Sequence, residues 1–202
     1  MEIKTIVFDL GGVLVDWNPE YLYRKIFKDE TEMQYFLKEV CSPHWNAEQD
    51  AGRRWADAID LLLPDFPAYE SAIRAYFDRW TEMLGGPIQG TVEILKEIKD
   101  KGEHQLFALT NWSNETFPHA LERYDFLQWF EGILVSGDEN LKKPDPKIYH
   151  LLLERFAIDP ASAVFLDDSL ANVHASIAVG MPAIHFKTPE QLRADLREKG
   201  VL

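Results

Sequence analysis

Four groups of polar residues lie at or just beyond the ends of apolar, strand-like segments, and their types suit phosphate chemistry. Asp9-Leu10-Gly11-Gly12 comes at the first such end, and Thr110-Asn111-Trp112-Ser113 at the second. Lys142-Lys143-Pro144-Asp145-Pro146 follows the third, and Asp167-Asp168-Ser169 ends the fourth. Because ligands bind beyond the carboxyl ends of parallel strands, we expect these carboxylate, hydroxyl, amide and lysine groups to converge at one edge of a sheet.

Each of these groups has a role that phosphoryl transfer requires. Asp9 can attack phosphorus and form an acyl phosphate, which divides one difficult hydrolysis into two easier steps. Asp9 and Asp168 would repel each other, and a hard cation such as Mg²⁺ between them relieves that repulsion. Lys143 would offset the charge of the transferred group, while the Thr110 hydroxyl and the Asn111 backbone amide hold its oxygens. The expected substrate is therefore a phosphate ester, with Mg²⁺ as the cofactor.

Alternating strand and helix signals in the remainder of the chain predict an α/β fold. Helix signals separate the later strands. One predicted helix ends at Gly102, which lies in the expected cap position. The last predicted helix begins at Thr188, where the residue spacing is that of a capping box. This alternation predicts a doubly wound parallel sheet with helices on both faces. The predicted strands are residues 3–8, 105–110, 132–135, 163–166 and 183–186.

The pattern between Pro19 and about Leu84 is helical instead. Residues 48–62 carry one apolar face, and a second apolar face follows Pro67 at spacings of three and four. No strand signal occurs in this block. We predict an all-helical unit of about 70 residues that is closed by a Gly85-Gly86-Pro87 linker. The apolar positions after Pro67 are Tyr69, Ile73, Tyr76, Phe77, Trp80 and Leu84.

Four ordered segments carry a family resemblance that spans the chain. They are Phe8-Asp9-Leu10-Gly11-Gly12-Val13-Leu14, Leu109-Thr110-Asn111, Lys143-Pro144-Asp145-Pro146 and Phe165-Leu166-Asp167-Asp168. In this order they resemble the motifs of the haloacid dehalogenase-like (HAD) hydrolases. The resemblance implies a Rossmann-like core of residues 1–16 and 87–202 with an α-helical cap inserted at residues 17–86. It also implies that Asp9 is the nucleophile and that Asp9, the carbonyl of Gly11 and Asp168 hold Mg²⁺.

Gly11 departs from the pattern of the family's phosphatases. Those enzymes usually carry a second aspartate at this position, which protonates the leaving oxygen and later activates water. Cation binding should survive, because the ligand here is a backbone carbonyl. The acid–base step should slow by about 10²–10⁴-fold if nothing replaces the carboxylate. Asp16 is the nearest spare carboxylate, but it lies where the chain leaves for the cap.

Several further residues have supporting interpretations. Asp167 is expected to orient Asp168 or a loop amide rather than to bind metal, and Asn172 is expected to support the site or to be an ordinary polar residue of a helix's first turn. Trp17 and Trp112 follow motif segments and could face the cleft. In the cap, an arginine of Asp50-Ala51-Gly52-Arg53-Arg54 could meet an anionic substrate, although a solvated charged face is the better account of at least one of the two.

Composition excludes several other classes of function. The chain has 202 residues, of which 46% are hydrophobic and 27% charged, as in ordinary globular proteins. Its formal net charge of −13 argues against a nucleic-acid partner. No apolar run approaches the roughly 18 residues that cross a bilayer, so no membrane partner is expected. The single cysteine, Cys41, and the lack of a signal-peptide pattern favour a cytoplasmic location. Nothing in the sequence predicts the oligomeric state.

Three functions remain open at this point. The leading hypothesis is a Mg²⁺-dependent phosphatase of a small phosphorylated metabolite, conceivably a sugar phosphate. The second is a metal-free 2-haloacid dehalogenase, whose relatives also lack the second aspartate but have a fourth motif richer in Ser and Asn. The third is a binding or regulatory protein that kept the fold and lost efficient turnover, which only Gly11 recommends.

Overall fold

The computed structural model describes residues 2–202 and is organised around a parallel sheet. The strands of the described chain are β1 (Thr5–Phe8), β2 (Val15–Trp17), β3 (Leu84–Pro87), β4 (Gln105–Thr110), β5 (Gly132–Val135), β6 (Ala163–Asp167) and β7 (Ala183–His185). Five of them form the parallel sheet in the order β5-β4-β1-β6-β7, and β2 and β3 form a separate antiparallel pair.

Helices cover the sheet and fill the long connection between β2 and β3. The α-helices are α1 (Glu20–Ile26), α2 (Glu30–Tyr35), α3 (Pro43–Asp50), α4 (Trp55–Leu62), α5 (Glu70–Asp78), α6 (Gln89–Lys101), α7 (Phe117–Arg123), α8 (Ser136–Glu139), α9 (Pro146–Arg155), α10 (Leu170–Ala178) and α11 (Pro189–Glu198). A π-helical segment spans Phe36–Val40, and 3₁₀ turns span Pro67–Tyr69, Trp80–Met83, Asp125–Trp129 and Pro160–Ser162. Helices α1 to α5 form what we call the helical block, and the remaining helices belong to the sheet region.

The predicted α/β fold with its parallel sheet is confirmed. Each predicted strand of the sheet is present, and their ends agree with the prediction to within two residues. Strand β1 lies at the centre, where Ile6 and Phe8 pack on one face and Val7 packs on the other. Because both faces are covered, the strand reads as a continuous apolar run. Gly102 caps α6 in the left-handed conformation, and the Thr188 hydroxyl accepts the Gln191 amide at 3.2 Å, as the capping signals predict.

The helical block differs from the prediction in three places. The predicted Gly85-Gly86-Pro87 linker is part of β3, which pairs with β2, so the block between residues 17 and 86 is not free of strands. The apolar pattern after Pro67 does not form one helix, because α5 ends at Asp78 and a 3₁₀ turn follows. Residues 48–62 are also divided, by a turn at Gly52 whose φ of +94° suits glycine. The spacing of the apolar residues predicted the buried face, but it did not predict these interruptions of the helices.

Aromatic side chains form the interior of the helical block. The Trp55 ring lies parallel to Tyr76 at 5.4 Å between centroids, and Trp45 meets both rings edge-on. Trp55 therefore belongs to the core. The division of the chain into core residues 1–16 and 87–202 and cap residues 17–86 stays a prediction. None of the helices described has both the length and the apolar composition that crossing a bilayer needs.

Candidate active site

The carboxyl ends of three adjacent strands bring the predicted site together. In the sheet, Phe8 of β1 pairs with Ala108 of β4 on one side and Leu166 of β6 on the other. The residues that follow each of these partners therefore emerge side by side at one edge. Asp9 is joined to this frame by its amide, which donates to the Leu166 carbonyl at 2.8 Å. The sheet register thus positions Asp9 beside Asp167, with Thr110 one residue further along β4.

Lys143 lies at the centre of this group as a buried cation. Its Nζ contacts Asp9 Oδ1 at 2.8 Å and Asp167 Oδ2 at 2.7 Å, and it donates to the Leu109 carbonyl at 3.0 Å. The side chain is 1% exposed. All three donors of the ammonium are used, so its position is fixed by the hydrogen bonds that it donates to acceptors at three strand ends.

Two amide side chains hold the parts of the site in register. Asn111 accepts the Lys143 backbone amide at 2.8 Å and donates to the Lys143 carbonyl at 3.0 Å, which anchors the lysine loop to β4. Asn172 donates to both oxygens of Asp167, at 3.0 and 3.1 Å. Asp167 also accepts the Ser169 amide at 2.8 Å. Both oxygens of Asp167 are therefore engaged, which leaves this carboxylate to orient its neighbours.

Burial and charge act in opposite directions on the ionisable groups. Burial raises the pKa of Asp9 above its usual range, while Lys143 lowers it and Asp167 raises it further. Burial alone would lower the pKa of Lys143, but Asp9 and Asp167 together raise it above its ordinary value. Burial also raises the pKa of Asp168, with Asp167 adding to the effect. The cluster holds three carboxyl groups and one ammonium, so a further positive charge would favour its ionised form.

The carboxylates have a geometry that fits a small divalent cation. Oxygens of Asp9, Asp167 and Asp168 lie within 4.8 Å of one another. Asp167 is occupied by Lys143, Asn172 and Ser169, which leaves Asp9 and Asp168 for a metal. Gly12 has a φ of +74°, and a Cβ there would overlap the Asp168 carboxylate, so only glycine lets the loop approach this closely. The donor set of oxygen ligands suits Mg²⁺, which takes one or two carboxylates.

A hydroxyl beside the cluster has no partner among the described residues. Thr110 is fully buried, and its Oγ1 makes no hydrogen bond within that part of the chain. A buried unpaired hydroxyl costs about 1–3 kcal/mol, so such a group is rarely retained without a use. An anionic oxygen bound beside Lys143 would satisfy it.

A cavity of about 260 Å³ opens over these groups. Side chains of α3, of strand β2 and of the 3₁₀ turn Trp80–Met83 line one part of the cavity. They are Trp17, Asn46, Asp50 and Trp80. The sheet side of the cavity is lined by Asp9, Gly11, Gly12, Asn111, Trp112, Thr116, Lys143, Asp168 and Asn172. Trp17 and Trp112 thus face the cavity.

The turn between α3 and α4 is attached to loops of the sheet region. The Ser136 hydroxyl donates to the Asp50 carbonyl, and Lys142 Nζ contacts the Glu48 carboxylate at 2.7 Å. Trp55 donates through its amide to Glu115 at 2.9 Å and through its indole to the Ser113 hydroxyl at 3.0 Å. These contacts hold α3 over the carboxyl edge of the sheet.

Some of the residues that the sequence analysis singled out lie at the cavity, and others lie elsewhere. Asp9, Gly11, Asn111, Lys143, Asp168 and Asn172 share the cavity lining, with Thr110 and Asp167 buried directly behind it. Asp16 lies outside the lining, and its carboxylate accepts the Tyr21 hydroxyl at 2.6 Å. Arg53 and Arg54 do not line the cavity either; Arg53 donates to Gln49 and to the Trp45 carbonyl. Neither arginine therefore lies in the lining of this cavity.

Asp50, Asn46 and Trp80 were not predicted as site residues. Asp50 lies in the same short segment as the two arginines, and the sequence pattern drew attention to their charge instead. Its carboxylate reaches the cavity because α3 ends at the sheet edge. No local periodicity signals that arrangement.

Comparison with known proteins identifies related sequences and folds. The sequence model of the haloacid dehalogenase-like hydrolases matches residues 3–180. A sesquiterpene phosphatase, astK of Aspergillus oryzae, is 28% identical over 195 residues, which cover 96% of this chain and 95% of the relative. A phosphorylated carbohydrates phosphatase of Thermotoga maritima is 26% identical over 186 residues, covering 91% and 84%.

A similar fold has also been solved with ligands. A HAD family enzyme of Bacteroides thetaiotaomicron, in complex with magnesium and inorganic phosphate, superimposes with a TM-score of 0.69 at 22% identity. The match covers 92% of this chain and 95% of that one. At this identity the likeness concerns the fold.

Proposed function

Since the chain belongs to the haloacid dehalogenase-like hydrolases, we propose that this hydrolase cleaves small phosphate monoesters through a covalent phosphate on Asp9. The observation that carries the proposal is the buried contact of Lys143 with both Asp9 and Asp167, next to the unpaired Thr110 hydroxyl. One group is the nucleophile, one is a fixed positive charge, and one is a free donor for a phosphate oxygen. Phosphoryl transfer depends on this combination of positioning and electrostatics.

The residues divide the work of holding the phosphoryl group. Lys143 faces the Asp9 oxygen and would meet the charge on the transferred oxygens, with Thr110 donating from its hydroxyl. The Asn111 side chain keeps Lys143 in position by binding the Lys143 backbone, and the Asn172 side chain keeps Asp167 in position. Asp167 thereby supports the lysine rather than the substrate.

Asp9, Asp168 and the Gly11 carbonyl are proposed to hold Mg²⁺. When bound, the ion would supply positive charge to the carboxylate cluster and to the substrate phosphate. The Asp9 and Asp168 carboxylates support this assignment, because their oxygens approach closely, whereas Lys143, Asn172 and the Ser169 amide engage both oxygens of Asp167.

The substrate is proposed to be a small phosphorylated metabolite, with a sugar phosphate among the candidates. The cavity of about 260 Å³ accommodates the phosphate and a short organic group. Three tryptophans, Trp17, Trp80 and Trp112, provide flat apolar surface, while Asn46 and Asp50 provide hydrogen-bonding groups. This mixture suits a ligand with both carbon faces and hydroxyls.

A substrate screen tests the proposal directly. Phosphate release would be measured from a panel of sugar phosphates, glycerol phosphate and p-nitrophenyl phosphate, with Mg²⁺ and with EDTA. We expect Mg²⁺-dependent release that Asp9→Asn abolishes. Halide release from 2-chloropropionate in EDTA, without phosphate release from any ester, would instead favour the dehalogenase hypothesis, which Gly11 supports.

A further inference from the structure

The missing carboxylate at position 11 leaves an unassigned proton transfer in the proposed reaction. Attack by Asp9 on phosphorus breaks the bond to the leaving oxygen, which needs a proton to depart as an alcohol. In the second step water attacks the acyl phosphate and must lose a proton. Gly11 has no group for either transfer, and Asp16 is held by Tyr21 outside the cavity.

In-line geometry restricts where the missing group can lie. The attacking and leaving oxygens lie on opposite sides of the transferred phosphoryl group. Asp9 attacks from the sheet edge, so the leaving oxygen points across the cavity toward the helical block. The attacking water of the second step enters from the same side. One carboxyl group on that side could therefore serve both steps.

We propose that Asp50, from the end of α3 in the helical block, is the general acid and base of this hydrolase. Three carboxyl groups line the cavity in the described chain, and Asp9 and Asp168 already have other roles. Asp50 is the third, and it belongs to α3 of the helical block rather than to a strand end of the sheet. This assignment rests on the proposed phosphatase function and adds a catalytic residue to it.

The protons and bonds of both steps balance with this single group. In the first step the Asp9 oxygen bonds to phosphorus, the ester bond breaks, and the Asp50 carboxyl gives its proton to the leaving oxygen. In the second step a water oxygen bonds to phosphorus and Asp50, now a carboxylate, takes one proton of that water. The bond from Asp9 to phosphorus breaks, phosphate leaves, and both carboxyl groups return to their starting forms.

The surroundings of Asp50 hold its carboxyl group in place and adjust its acidity. Asn46 donates to it at 3.3 Å from the preceding turn of α3, and the Asp50 carbonyl accepts the Ser136 hydroxyl. Burial raises the pKa of Asp50 to about 7, against the lowering effects of Lys142, the Ser113 amide and Lys143. A carboxyl group with a pKa near neutrality can donate and recover a proton efficiently.

Charged and titratable groups reach Asp50 from each element around it. Lys142 and Lys143 approach from the loop that follows α8, and Tyr76 approaches from α5 inside the helical block. The Asp9 and Asp168 carboxyls share the cavity with it from the sheet edge. The two lysines favour the ionised form of Asp50, whereas burial disfavours it.

Asp50→Asn tests the inference in an enzyme that otherwise keeps its full site. Turnover of glycerol phosphate, whose leaving group needs a proton, should fall by about 10²–10⁴-fold. p-Nitrophenyl phosphate barely needs that proton, so the variant should release nitrophenol in a burst and then stall as phosphoenzyme. Intact mass spectrometry should detect the added phosphate. The decline of wild-type kcat/KM for glycerol phosphate above about pH 7 should be lost.

Two control variants separate chemistry from structure. Asp50→Glu keeps the carboxyl group and should recover part of the glycerol phosphate turnover. Asp60→Asn on the neighbouring helix α4 makes the same exchange at an exposed carboxyl group and should leave the kinetics as in wild type. Circular dichroism of each variant checks that the fold is retained.

The outcomes distinguish failure of this inference from failure of the phosphatase proposal. If Asp50→Asn keeps wild-type turnover, or slows both esters equally with no burst and an unchanged pH profile, Asp50 is not the acid and base. The phosphatase function would still stand in that case, provided that wild type hydrolyses the esters and Asp9→Asn does not. Absence of phosphatase activity in wild type would overturn both.

Discussion

The buried ammonium of Lys143 makes a sharp prediction about stability. Lys143→Met keeps the length of the side chain but removes the charge that contacts Asp9 and Asp167, whose side chains are 9% and 0% exposed. Breaking a buried ion pair in this way costs about 3–5 kcal/mol, because the partner charge stays buried without compensation. We therefore expect the free energy of unfolding to fall by about 3–5 kcal/mol at about pH 7.5.

The same argument sets a pH dependence for this variant. Each carboxylate that has lost its partner can become protonated instead. Protonating a carboxylate with the ordinary aspartate pKa of about 3.9 costs about 5 kcal/mol at about pH 7.5 but only about 1.5 kcal/mol at about pH 5. The folded variant would bind these protons more tightly than its unfolded chain does. Its deficit relative to wild type should consequently grow as pH rises from about 5 to about 7.5.

Urea unfolding at the two pH values, with EDTA in both to exclude stabilisation by a bound cation, measures the effect. Lys143→Met/Asp167→Asn should recover part of the loss, since one of the two anions is gone. Arg24→Met is the matched exposed control: its pair with Glu30 is about half exposed on both sides, so a change below about 1 kcal/mol is expected. A loss below about 1 kcal/mol for Lys143→Met at both pH values would refute the reasoning.

Two further predictions concern the acid–base groups. A Cβ at Gly11 meets nothing within 4 Å, so Gly11→Asp should fold normally. This substitution should change the glycerol phosphate turnover of wild type less than about tenfold, but should restore turnover when it is added to Asp50→Asn. No rescue in steady-state assays would mean that the two positions do not serve the same step. Burial raises the pKa of Asp50 to about 7, so the folded state loses stability as pH rises from about 4 to about 7. Asp50→Asn should therefore be more stable than wild type by up to about 4 kcal/mol at about pH 8, and equally stable near pH 4. Equal urea midpoints of the two proteins at both pH values would contradict this.

Sequence reasoning succeeded where local pattern determines position. Strand β1 is buried throughout and is followed directly by Asp9, and strands β4 and β6 end at Thr110 and Asp167. Once such strands pair in parallel, their carboxyl ends meet at one edge of the sheet. The convergence of Asp9, Lys143 and Asp168 was therefore predictable, although their catalytic and metal-binding roles stay predictions.

Residues that reach the site from the helical block were not predictable in this way. Asp50 meets the cavity because the turn around Gly52 packs against the loop at Gly137 and Asn140, far away in sequence. Lys142 binds Glu48 and the Ala47 carbonyl across the same contact. Such contacts depend on how two units meet, which neither apolar spacing nor capping signals encode.

The central place of β1 in the sheet has a consequence for folding. β1 pairs only with β4 and β6, which begin about 100 and about 158 residues later in the chain. During synthesis the strand that precedes Asp9 is made before either neighbour exists, and loop-closure entropy opposes both pairings until those segments emerge. Folding of the sheet should accordingly be slow relative to the helical block, whose contacts are local. The order of assembly thus leaves the nucleophile in an unformed pocket until β6 has joined, so a nascent or truncated chain that lacks β6 should have no hydrolytic activity.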